Sequence, residues 1–177
     1  MNRKFSTKDL VLTGLLLALG LVLPMVFHFF GGMGPVFLPM HIPVLIGGFL
    51  LPPYLALLLG IVTPLVSGVL TGMPPMFPMA VIMMFELGAY GLSASLATKK
   101  FKLSSVLALV VTMIIGRVVA GIVVFVLSLS FSVKMNAFMF VKGGIITGLP
   151  GIAIQLILIP SLVYALNKVN RGANVNA

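Results

Sequence analysis

The chain has 177 residues, 60% of them hydrophobic and 7% charged, with a formal charge of +9 and no cysteine. At a mean hydropathy of +1.27, that much apolar surface cannot be hidden in a soluble domain, so the composition predicts an all-α integral membrane protein. It also excludes disulfides, thiol chemistry and Cys-based metal sites. The basic residues sit at the ends of apolar runs, which is the placement of membrane flanks and not of a nucleic-acid surface.

A single domain of six transmembrane helices over 1–177 is expected. The first runs from about Leu10 to Phe30, about twenty residues, enough for the ~30 Å hydrocarbon core. The start MNRKFSTKDLVLTG is charged and then apolar, like a signal peptide. The apolar run continues to Phe30 without a small-x-small cleavage site, so a retained helix is expected. The second segment, VFLPMHIPVLIGGFLLPP, carries Pro39, Pro43, Pro52 and Pro53. Proline removes an amide donor and clashes with the preceding turn, so Gly31–Ile42 is predicted as a structured loop dipping into protein, followed by a short helix to about Leu51. The third segment spans about Tyr54–Leu70, with Pro64 as a kink. A second Pro-rich loop, Thr71–Pro78, leads to the fourth at about Pro78–Thr98. Lys99, Lys100 and Lys102 mark a polar boundary. The fifth spans about Leu103–Ser130. Phe131–Lys142 is a mixed loop or short interfacial helix, and the sixth runs from about Gly143 to Leu166.

Orientation follows from the cations. With the N-terminus inside, the inner side collects Arg3, Lys4, Lys8, Lys99, Lys100, Lys102, Lys168 and Arg171, and the outer side only Lys134 and Lys142. Both termini are therefore expected to be cytoplasmic, with both Pro/Gly-rich loops outside, capping a ligand pocket.

Glu86 and Asp9 are the only acids. Glu86 lies about eight residues, roughly 12 Å, from the outer end of its helix. Arg117 lies roughly 16–20 Å deep in the antiparallel fifth helix, within reach of Glu86. Two readings follow: a structural ion pair locking two helices, or a polar ligand site open to the outside. Intramembrane ionisable groups favour the site; the desolvation of buried pairs makes them weak stabilisers. Met79, Met83, Glu86 and Tyr90 share one helical stripe, so Tyr90 is a ligand candidate, against core filling. Gln155, the mid-span amide of the last helix, must face inward, to backbone or to ligand. Gly148, Pro150 and Gly151 allow close approach there. His41, Asn136 and Lys142 are ligand candidates from the outer loops, against solvated or snorkelling roles; His28 reads as interfacial. The two histidines lack a suitable carboxylate partner and the H-E-x-x-H pattern, so no metal is expected. No Gly-rich phosphate loop, two-carboxylate pair or Ser/His/Asp set is available, so neither an enzyme nor a cofactor is expected. Gly14 and Ala18 form a small-xxx-small step where another helix could approach, in this chain or in a partner.

Taken together, these stretches resemble the substrate-binding S components of energy-coupling factor (ECF) vitamin transporters. The resemblance rests on TGLLLALGLVLP, HIPVLIGGFLLPP, GIVTPLVSGVLTGMPP, the FELGAYGL block Phe85–Leu92, and GLPGIAIQLILIP at Gly148–Pro160, in that order along nearly the whole chain. Gly14 and Ala18 match the family's coupling motif, with Gly where Ala is usual. The resemblance implies a prokaryotic plasma-membrane protein that binds a small-molecule vitamin outside. It implies docking through the first helix on a membrane coupling subunit carried with two ATPases, and no nucleic-acid partner. The blocks look most like the pantothenate-type branch, with Arg117 or Lys142 taking a carboxylate and Glu86 and Gln155 accepting from hydroxyl or amide. Folate, niacin, a queuosine precursor or a thiamine-pathway fragment stand as other cargoes. A stand-alone permease or scaffold with a structural Glu86–Arg117 pair is the reading from a different class.

Overall fold

The computed structural model describes residues 6–29, 31, 33–131 and 133–175, with side chains through 27 and from 31 to 166. Arg3 and Lys4, and the side chains of His28, Lys168 and Arg171, lie outside what is described. The described residues are helical, without a strand.

Helix α1 (Thr7–Phe29) opens with a reciprocal cap: Ser6 Oγ accepts from the Lys8 amide at 3.3 Å, and Asp9 Oδ2 accepts from the Ser6 amide at 3.4 Å. The second acid of the chain thus serves a helix start. Helix α1 is largely exposed and touches the rest of the protein along one narrow stripe. There, Gly20 leaves so little space that a Cβ would stand 2.6 Å from Thr63 Cγ2.

The second expected segment is broken in two. A single turn, α2 (Gly34–Phe37), ends at Leu38 with φ of 50°, and α3 (His41–Leu50) follows. At 1.5 Å per residue, α3 covers roughly 15 Å, half the hydrocarbon core. Among the described residues, five helices are long and apolar enough to span a membrane, and α3 falls short of that length. Pro39 and Pro43 bracket its start, and Pro52 follows its end, so the chain cannot extend it in either direction.

Helix α4 (Pro53–Thr71) has Pro at its start and ends on Gly72 with φ of 73°, the left-handed cap that glycine adopts without strain. A wide turn at Met76–Ala80 leads into α5 (Val81–Lys99). Helix α5 is central: α3, α4 and α6 all pack on it. Glycine permits the closest of these contacts. A Cβ on Gly60 would fall on the Leu87 carbonyl, and one on Gly91 on the Ala56 carbonyl, so α4 and α5 meet backbone to backbone. At the other end of α5, Ser95 Oγ donates to the Leu51 carbonyl at 2.8 Å, and Lys99 Nζ donates to the Leu50 carbonyl at 3.1 Å and also to that of Leu51. These bonds serve orphan carbonyls at the end of α3.

Helix α6 (Ser105–Ser130) is capped by Ser104 Oγ, which accepts from the Leu107 amide at 3.4 Å. Helix α7 (Ala137–Val175) begins six residues earlier than the sequence suggests. Asn136 is its cap, accepting from the Met139 amide at 3.0 Å, so Lys142 is helical and the mixed loop ends at Asn136.

Candidate functional site

Residues from five elements converge at one end of α5. Glu86, two residues past the first turn and 2% exposed, points between α3 and α6. Arg117 Nη1 lies 2.9 Å from Glu86 Oε1 and His41 Nε2 3.8 Å from the same oxygen. The first is a close ion pair, although Glu86 Oε1 has no hydrogen-bond partner of good geometry among the described residues; the second exceeds hydrogen-bond distance. Tyr90, one turn along α5 from Glu86, turns its hydroxyl toward that carboxylate and packs edge-on against the His41 ring, centroids 5.3 Å apart. On α6, Gly116 makes space for the Tyr90 ring, since a Cβ there would stand 2.8 Å from it.

The guanidinium is seated by α7. Gly144 and Gly148 face it, and a Cβ on Gly144 would stand 3.1 Å from Nη1. Gln155, 1% exposed, donates from Nε2 to the Leu38 carbonyl at 3.4 Å. That bond holds the turn after α2, where Leu38 has the left-handed backbone that a branched side chain seldom adopts. The close approach expected at Gly148 and Gly151 is made by α2 itself: a Cβ on Gly151 would stand 2.6 Å from the Phe37 carbonyl.

A cavity of about 890 Å³ opens beside this cluster. The first Pro-rich segment contributes Gly34 and Pro39, the second Met73 and Pro74, α5 Met83 and Glu86, and α7 Gly144 and Thr147. His41 and Arg117 complete its polar wall. Among the described residues, Arg117 Nη2 and both ring nitrogens of His41 are buried without a hydrogen-bond partner. Buried donors in that condition are rare and destabilising unless something fills them. The ion pair is thus both a link between α5 and α6 and part of a cavity wall.

Of the seven residues singled out as ligand candidates, the structure brings Glu86, Arg117, His41, Tyr90 and Gln155 together. It does not bring Asn136 or Lys142 to them. Both are exposed and line neither the cavity beside Glu86 nor the hollow between α6 and α7, Asn136 because its side chain is committed to capping α7, and Lys142 because it projects from the open face of that helix. Leu38, Thr147 and Met139 line the cavity without having been singled out. Leu38 carried one signal, its place just before Pro39; an isolated threonine and methionine in an apolar helix carried none. Gly14 and Ala18 lie on the uncovered side of α1, and among the described residues no other element comes within 4 Å of a Cβ placed on Gly14.

No curated protein and no solved structure matches the chain. A family does: residues 8–163 match the family described as ECF transporter, substrate-specific component. The matched range takes in α1 through most of α7, and with them the whole cluster around Glu86. The chain is therefore a multi-pass membrane protein and a member of the ECF transporter substrate-specific component family, the substrate-binding and non-enzymatic part of such a transporter.

Proposed function

We propose that this protein takes up a small carboxylate vitamin, pantothenate before others, at the cavity beside Glu86 and Arg117. The observation that carries the reading is the unpartnered side of the guanidinium: Nη1 pairs with Glu86 at 2.9 Å while Nη2, buried within the same cavity-lining side chain, has no partner among the described residues. An arginine fork with one side fixed and the other vacant suits a carboxylate. Glu86 accepts from a ligand hydroxyl, Gln155 serves the amide, and His41 supplies a further polar contact. The two Pro-rich segments bordering the cavity face outward and cap it, with both chain termini in the cytoplasm of a prokaryotic cell. The open face of α1 at Gly14 and Ala18 docks on a membrane coupling subunit carried with two ATPases, which supply the energy.

Titration calorimetry on the purified protein tests the cargo. Pantothenate should bind, and Arg117→Met should weaken it on the order of 100-fold, as expected for deleting one partner of a buried charge pair. Binding of niacin or folate in its place would reassign the cargo while keeping the site. Failure of tagged protein to bring down any coupling subunit or ATPase from its native membrane, together with absence of vitamin binding, would leave a stand-alone scaffold with a structural ion pair.

A further inference from the structure

A second hollow, about 750 Å³, lies between α6 and α7. Its walls are hydrocarbon: Met113, Val118 and Ile122 from α6 face Val141 and Leu156 from α7. At Gly121 the walls come close, since a Cβ there would already stand 3.1 Å from Val141 Cγ2. Val118 and Ile122 are 56% and 57% exposed in the middle of a membrane-capable helix, so the hollow opens sideways on the outer surface of that helix.

Its inner end is different in kind. Tyr90, Arg117 and Gln155 close it, and Arg117 and Leu38 also line the first cavity. The five polar residues of the cluster are therefore divided. His41 and Glu86 face the first cavity, Tyr90 and Gln155 the second, and Arg117 both. A ligand that uses all five must straddle the guanidinium. Any part of it that extends past Arg117 between α6 and α7 meets only apolar side chains. Together the two spaces also exceed what a compact anion fills, since ligand sites commonly measure about 300–1,000 Å³.

Resting on the carboxylate-binding reading of Arg117, we propose that the α6–α7 hollow is the second compartment of the ligand site and that the ligand is a carboxylate carrying an aliphatic arm. The head lies at Arg117, within reach of Glu86 and Gln155, and the arm lies between Met113, Ile122 and Leu156. These side chains then set how long an arm is accepted. The planar guanidinium suits this position because one edge is fixed by Glu86 while the other turns to the ligand, which a lysine ammonium cannot reproduce.

The probes are N-acetyl-, N-butanoyl-, N-hexanoyl- and N-octanoyl-β-alanine, which keep one carboxylate and one amide and vary only the arm. They are titrated into the full chain in detergent micelles, with the micelle blank subtracted. Affinity should rise about fourfold for each methylene buried, until the hollow is full. Ile122→Trp, which fills the hollow, should flatten that rise; Val118→Phe, a smaller filling, reports the same where the tryptophan variant does not fold. Equal affinity along the wild-type series overturns the second compartment. So does a rise that both filling variants leave intact, which would assign the hollow to bilayer acyl chains. If octanoyl-β-alanine binds Arg117→Met as tightly as wild type, the carboxylate reading itself has failed, and the arm with it.

Discussion

Glu86 and Arg117 answer to two demands at once. Their 2.9 Å contact keeps two largely buried charges compatible with an apolar interior, while Nη2 is left without a partner among the described residues. Glu86→Gln separates the two. The amide keeps the shape and one acceptor, so the helices still pack, but Arg117 loses its counter-charge, with stability falling by about 1–3 kcal/mol. Ligand affinity per folded molecule should fall as well, measured by calorimetry on protein whose folded fraction is set by thermal melting. A melt that shifts while affinity per folded molecule stays intact would make the pair structural. Arg117→Lys offers a complementary comparison. The charge is kept but the fork is lost, so carboxylate binding should weaken by about tenfold or more although the net charge is unchanged.

At the scale of elements, glycine sets how close the helices come, and these contacts position the cluster. Helices α4 and α5 touch backbone to backbone at Gly60 and Gly91, and both contacts lie on the helix that carries Glu86. Gly91→Ala should push α4 away and destabilise the protein by about 1–3 kcal/mol, read as a lower melting temperature. Gly151→Val acts elsewhere. It collides with Phe37 in α2, moves Leu38 off its bond with Gln155, and should lower ligand affinity more than it lowers the melting temperature. The element boundaries were legible where local chemistry fixes them: Pro53 and Gly72 delimit α4, and Ser104 starts α6. The start of α7 was not, because Ala137–Lys142 carries a lysine and reads as an interface, while the cap that extends the helix is a single asparagine.

Across the whole molecule, one face of α1 remains unfilled while α5 is surrounded. Gly14 and Ala18 are uncovered, whereas Leu16 and Gly20, on the opposite stripe, pack against α3 and α4. A bulky residue at Gly14 therefore has space within the chain. Gly14→Leu should leave the melting temperature and ligand binding unchanged and abolish uptake and co-purification of the coupling subunit in cells. Equal loss of binding and uptake would point to damage of the fold.

Residues, elements and the whole chain differ in how far sequence alone determined them. Hydropathy is a property of each segment by itself, so membrane class, five membrane-capable helices and a carboxylate inside one of them could be read directly. Proline acts on its own neighbours, so the break before α3 was legible too, although its ten-residue length still placed it short of a span. The partners of Glu86 were a different matter. Arg117 was within reach by depth, but depth fixes no rotation about a helix axis. The helical stripe already put Tyr90 one turn from Glu86, but only the packed structure set His41 beside the carboxylate, gave Gln155 to the Leu38 carbonyl, and left Asn136 and Lys142 outside. The division of the polar cluster between two cavities depends on α6 and α7 standing apart, a relation between distant segments that no local pattern encodes.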